Sequence, residues 1–221
     1  MNGRSIAIAG EDVVLDPTAA LYWPRERTLV VADAHFGKAA AFRRSGVFVP
    51  ETTTDAALGR LDHLIDRYDA TRIVFIGDFL HAKEGRHPET LANIERWRGR
   101  YSAIEMILVR GNHDRRAGDP PREFHMTCIE APLLEPPFAL AHHPVAVDNH
   151  YVLAGHIHPA VTLLGAAKQR ARLPCFWFGE RVGVLPAFGE FTGVATVEPA
   201  TGDRVYVLTG DDVIEASEER S

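Results

Sequence analysis

The sequence predicts an α/β fold, with a parallel sheet whose strands alternate with helices and a second, mostly antiparallel sheet packed against it. Three patterns carry this reading. Short apolar runs, each closed by glycine or a polar residue, recur through the first two thirds of the chain. Segments with apolar residues three and four apart separate them, the spacing of amphipathic helices. After His158 the pattern changes to short β-rich runs broken by glycine and proline.

Five buried strands are expected at residues 28–33, 72–78, 105–111, 138–142 and 151–155. Between the first two, residues 51–68 read as a helix. Ala57, Leu61, Leu64, Ile65 and Tyr68 share one face, and Pro50 and Thr52 to Thr54 mark the start. Residues 88–100 read as a second helix carrying Leu91, Ile94 and Trp97. Strand–helix–strand alternation implies a parallel sheet, and ligands gather at the carboxyl ends of such strands. The second sheet is expected from both chain ends: residues 5–9, 13–15 and 20–23, then 161–164, 172–178, 182–185, 193–197 and 204–208. Residues 1–221 read as one domain with a frayed charged tail at about 215–221.

Composition narrows the function classes. No apolar run approaches the ~20 residues that cross a bilayer, so no membrane partner is expected. The first twelve residues lack a secretory apolar core, which predicts a cytoplasmic protein. Cys128 and Cys175 are far apart and form no CxxC pair, which fits free thiols in a reducing compartment. The net charge of −6 argues mildly against a basic nucleic-acid face. Two divalent ions would nevertheless add about four positive charges where a phosphate docks.

Chemistry concentrates in five stretches: Asp33-Ala34-His35, Gly77-Asp78, Gly111-Asn112-His113-Asp114, His142-His143-Pro144 and Gly155-His156-Ile157-His158. Most follow an apolar run. Asp33 and His35 can reach one ion from a single turn. Gly77 permits close backbone approach beside Asp78, whose two oxygens can bridge ions about 3.5–4 Å apart. Asn112 offers a neutral oxygen, and His142, His156 and His158 add nitrogen. Either His142 or His143 could ligate, with His142 favoured and His143 left for phosphate contact or packing. Oxygen and nitrogen donors without sulfur suit two ions of manganese, iron or zinc better than calcium or magnesium. Such a site hydrolyses phosphate esters.

In these residues the chain resembles the calcineurin-like metallophosphoesterases, whose pattern runs DxH, GD, GNHD/E, a histidine, then GHxH. All five blocks occur in order between Asp33 and His158. The resemblance implies a four-layer α-β-β-α sandwich. It assigns one ion to Asp33, His35, Asp78 and His158, and the other to Asp78, Asn112, His142 and His156. It implies that His113 protonates the leaving alkoxide or hydrogen-bonds the phosphate, and that Asp114 orients His113. Further stretches extend the likeness over about Gly10 to Val197: Leu21-Tyr22-Trp23-Pro24, Asp33-Ala-His-Phe-Gly-Lys38, Phe42-Arg43, the segment ending at His81, and Pro186-Ala-Phe-Gly-Glu-Phe-Thr-Gly193. Together they are similar to the PdeM branch, the ligase-associated DNA damage response endonucleases, related to the SbcD-type nucleases. That branch implies a manganese-dependent endonuclease in DNA repair, acting on single-stranded or structured DNA, in association with a ligase, helicase or exonuclease.

Lys38, Arg43, Arg44, Arg110, Arg115 and Arg116 cluster in sequence around the motifs. They could contact a nucleic-acid backbone or be ordinary solvated charge, and Arg110 could instead be a structural ion-pair partner. His81, three residues after Asp78, could face substrate or hold a structural hydrogen bond. Phe36 and Phe42 could stack bases or pack in the core, with packing favoured. Two other readings compete: a small-molecule or cyclic-nucleotide phosphodiesterase or phosphatase, and a non-catalytic scaffold. Retention of every expected ligand speaks against the scaffold.

Overall fold

The structure is a computed structural model that describes residues 3–39, 53–81, 83–164 and 170–216. Short connections set the first sheet. Strands β1 (Arg4–Ile8), β2 (Glu11–Leu15), β3 (Ala20–Trp23) and β4 (Thr28–Val31) follow one another through tight turns, and each pairs antiparallel with the next. Helix α1 (Thr53–Tyr68) then returns the chain, so β5 (Arg72–Ile76) lies parallel to β4. Helix α2 (Pro88–Arg100) does the same for β6 (Glu105–Val109). A short helix, α3 (Asn112–Ala117), precedes β7 (Thr127–Ile129), which is also parallel. The seven strands lie in sequence order.

The second sheet holds nine strands: β8 (Leu133–Glu135), β9 (Phe138–Ala141), β10 (Tyr151–Ala154), β11 (Pro159–Leu164), β12 (Arg170–Phe178), β13 (Val182–Val184), β14 (Ala195–Thr196), β15 (Arg204–Leu208) and β16 (Val213–Glu215). Its order is β14-β11-β12-β13-β10-β9-β8, with β15 on β12 and β16 on β15. Among the described residues the chain passes between sheets once, from Ile129 to Leu133.

Two sequence expectations change here. The N-terminal strands extend the first sheet and not the second, because local hairpin turns tie β3 to β4. The five motif-bearing strands do not share one sheet. Those at 28, 72 and 105 lie in the first, and the parallel pair β9–β10 lies in the second.

Alternation along the strands explains the packing. In β4, Leu29 and Val31 face α1 and α2, where Leu61, Leu64, Ile94 and Trp97 are buried. Val30 faces the other way, into a core shared with Phe138, Leu140, Leu153, Phe176 and Phe178 of the second sheet. Each such side chain contributes about 1.5–3 kcal/mol when fully buried. The result is two sheets stacked face to face, the sandwich expected, with helices outside the first; among the described residues no helix covers the outer face of the second. Trp97 Nε1 donates to Asp62 at 2.6 Å and joins the helices. Arg72 donates to Glu135 at 2.7 Å and joins β5 to β8 across the layers. No described helix is long and apolar enough to cross a membrane.

Candidate metal centre

The site forms where loop tips from both sheets meet. After β4, His35 N–H donates to the Asp78 carbonyl at 2.8 Å and Phe36 N–H to the Phe79 carbonyl at 2.8 Å, so the first two motifs run side by side. Gly155 N–H donates to the His142 carbonyl at 3.1 Å and pairs the last two motifs. His156 N–H then donates to Asp33 Oδ2 at 2.8 Å, which closes the ring between sheets. Asp33, His35, Asp78, His156 and His158 all have positive φ, between 45° and 70°. Non-glycine residues rarely adopt this conformation, and its strain collects at functional sites.

Donor atoms lie on both sides of Asp78 Oδ2, and Asp33 also reaches both sides, its Oδ1 lying 3.5 Å from His142 Nδ1. Asp78 Oδ2 lies 3.8 Å from His35 Nε2, and Asp33 Oδ2 lies 3.5 Å from His158 Nε2. On the other side, Asp78 Oδ2 lies 3.6 Å from His142 Nε2. That nitrogen is 2.9 Å from Asn112 Oδ1 and 3.1 Å from His156 Nδ1. Such crowding of lone-pair donors suits a cation. The buried Asp33 Oδ1 takes no hydrogen bond, a costly state for a carboxylate oxygen without a positive partner. Donor type and geometry therefore fit divalent metal ions.

Backbone carbonyls orient two of the imidazoles. His142 Nδ1 lies 3.3 Å from the Ile76 carbonyl, and His158 Nδ1 lies 3.2 Å from the Gly193 carbonyl. A proton on each Nδ1 leaves Nε2 free to ligate. Burial, followed by Lys38 and the neighbouring imidazoles, lowers the His35 pKa to about 2, so the ring stands neutral and ready as a ligand. Burial opposes protonation of His158 as well, but the Asp33 carboxylate and the carbonyls outweigh it and raise its pKa.

A family model of the calcineurin-like phosphoesterases matches residues 26–168, which contain all five motifs. The chain belongs to the calcineurin-like phosphoesterases. Membership makes it a metal-dependent hydrolase of phosphate esters. The chain is also similar to the crystal structure of Pseudomonas putida nuclease MPE, at 44% identity, covering 97% of this chain and 100% of that one, with a TM-score of 0.86. Yfce, a phosphoesterase from E. coli, is 14% identical over 85% of this chain and 96% of its own, with a TM-score of 0.42. A protein of unknown function from Aquifex aeolicus is 16% identical over 59% and 78%, with a TM-score of 0.40. These two likenesses are too distant to bear on function. No curated protein matches the sequence.

The structure of this calcineurin-like phosphoesterase brings Asp33, His35, Asp78, Asn112, His142, His156 and His158 into one cluster. His142 is fully buried among the donors, while His143 is exposed with its ring 4.3 Å from that of His156. His113 and His81 stack at 5.2 Å beside His35, and His81 Nδ1 lies 3.3 Å from His35 Nδ1. The expected Asp114–His113 pair is not formed. Asp114 is buried and accepts from the N–H of Phe79 at 3.0 Å and of Gly111 at 2.9 Å, while His113 Nδ1 has no hydrogen-bond partner. The cause is local. The third motif begins a helical turn, and Asp114, three residues past Gly111, caps it.

The cationic rim is weaker than the sequence suggests. Arg110 is held by Asp119 through two 2.7 Å contacts, and Arg115 by Glu130 at 2.7 Å. Lys38 lies near the centre, where burial lowers its pKa and Asp33 and Asp78 oppose that shift. Arg43, Arg44 and Phe42 lie outside the described residues. Phe36 is buried against Phe79, so packing takes it. Residues Gly189 to Gly193, noted in the sequence only for family likeness, prove part of the site's support. Their glycine-rich spelling was the available signal.

Proposed function

We propose that this phosphoesterase is a manganese-dependent nuclease that hydrolyses phosphodiester bonds in DNA, single-stranded or structured, in DNA repair. The observation that carries it is the double donor set meeting at Asp78 Oδ2. Whole-length likeness to a nuclease supports nucleic acid as the substrate class. One ion would be held by Asp33, His35, Asp78 and His158, the other by Asp78, Asn112, His142 and His156. Bound there, two divalent ions supply Lewis acidity and lower the pKa of water.

His113 would donate a proton to the leaving oxygen or bind the phosphate, and its Nε2 stands 4.0 Å from Asp78 Oδ2. His81 would hold His35 in place. Lys38, His143, Arg43, Arg44 and Arg115 would contact the phosphate backbone, with Arg115 first leaving Glu130. A ligase, helicase or exonuclease is the expected class of repair partner. The oxygen–nitrogen donor set supports manganese, with iron or zinc as alternatives.

A small-molecule phosphodiesterase is the second reading, favoured by the pairing of Arg110 and Arg115 with carboxylates. A substrate panel with added Mn²⁺ separates them: single-stranded, hairpin and duplex DNA, RNA, a cyclic nucleotide and a phosphomonoester. Cleavage of single-stranded or hairpin DNA, with steeply salt-dependent binding, is expected. Turnover of the cyclic nucleotide or monoester alone would overturn the nuclease reading.

A further inference from the structure

Phe191 sits where the fold has no use for a phenylalanine. Its side chain is among the few large apolar ones exposed, at 55%, and its φ is +58°, a conformation costly for a bulky residue. Glycine would serve the backbone better at this point. Yet the loop that carries it is firmly tied to the metal centre on both sides of Phe191. Gly189 N–H donates to the Asp33 carbonyl at 3.0 Å, and the next residue after Phe191, Thr192, offers its carbonyl 3.3 Å from His158 Nδ1. Arg60 braces the loop from α1, donating to the Phe188 carbonyl at 2.7 Å and to Glu190 at 2.6 Å. The Thr192 hydroxyl donates to the Gly189 carbonyl at 3.1 Å. A strained, solvent-facing aromatic ring is thus held on a rigid mount between the first and last ligand motifs.

We propose that Phe191 is a specificity-determining residue that stacks on an unpaired nucleobase next to the scissile phosphate. Aromatic faces accept any base, and only a base free of its own duplex stack is available to them. The ring therefore selects single strands, loops and frayed ends without reading sequence. This rests on the nuclease reading above and adds the element that recognises the base.

The test compares wild-type protein with Phe191→Ala and Phe191→Trp, supplied with Mn²⁺, on a single-stranded oligonucleotide and on the same strand with abasic residues flanking the cleaved bond. Phe191→Ala is expected to raise KM on the base-bearing strand by about 5- to 150-fold, with kcat little changed. It should leave the abasic strand unaffected, and Phe191→Trp should restore the wild-type KM. An unchanged KM, or an equal loss on both strands, overturns the stacking role while wild-type cleavage leaves the nuclease reading standing. Failure of wild-type protein to cut either strand removes the nuclease reading and the stacking partner with it.

Discussion

The α-carbon of Gly77 lies so close beneath the imidazole of His142 that a methyl group there would stand 2.0 Å from Nδ1. Gly111 is placed likewise under Asp78, at 2.3 Å from Oδ1, and Gly155 under Asp33, at 2.5 Å from Oδ2. Three glycines thus let three donors descend onto backbone. Gly77 also has φ +89°, which penalises any side chain. Gly77→Ala is expected to push His142 from its place and weaken metal binding by about 10- to 100-fold, as loss of ligand support commonly does. Calorimetric titration with Mn²⁺ checks this, with far-UV circular dichroism expected to stay near wild type.

Asp114 and His113 should separate cleanly. Asp114→Ala strips partners from two buried N–H groups, each costing about 1–3 kcal/mol. A marked fall in the urea midpoint is expected. His113→Ala should leave that midpoint nearly unchanged and lower kcat on bis-p-nitrophenyl phosphate by about 10²–10⁴-fold, the usual value of a general acid. Equal midpoints for the two variants would restore the acid–imidazole pairing that the sequence suggested.

Ions that bind the folded chain should stabilise it. At a free concentration of about 100 times Kd, one site adds about 2.7 kcal/mol. Chelation followed by Mn²⁺ titration should raise Tm in wild-type protein. Asp78→Ala, lacking the oxygen common to both donor groups, should show little rise and no Mn²⁺-dependent hydrolysis.

Chelated protein should lose stability on acidification. Burial first, then neighbouring positive groups, lowers the pKa of His35, His143 and His156 in the folded state. The unfolded chain takes up protons at these positions below about 6.5, where the folded chain resists, so stability falls as pH drops through that value. His158 has the opposite sign: its raised pKa gives stability below about 6.5 that is lost as pH rises through the folded value. Three lowered groups against one raised predict a net fall in Tm from about pH 7.5 to about pH 5.5. His35→Gln should flatten that slope in differential scanning calorimetry.

Helix α2 falls where apolar spacing placed it, because Leu91, Ile94 and Trp97 recur on one face and Pro88 opens the first turn. The gathering of Asp33, His35, Asp78, Asn112, His142, His156 and His158 in one cluster was legible as well, since their motifs follow strand ends. Sheet membership was not. Runs such as 73–76 and 138–141 are apolar at every position, and burial on both faces erases the alternation that reports direction. Strands β7, β8 and β16 have three residues each, too few for a periodic signal. The Asp114–His113 pairing that the family resemblance implied is absent for another reason: the helical turn of α3 directs the Asp114 carboxylate toward the N–H groups of Gly111 and Phe79.

The passage from Ile129 to Leu133, the one crossing between sheets among the described residues, divides the molecule into an amino half bearing Asp33, His35, Asp78 and Asn112 and a carboxyl half bearing His142, His156 and His158. Cut there, neither piece holds all the donors proposed for either ion. Expressed as two polypeptides, the pieces could regain hydrolytic turnover only by reassembling the apolar seam around Val30, Phe138 and Phe176, so enzyme output would report directly on fragment complementation.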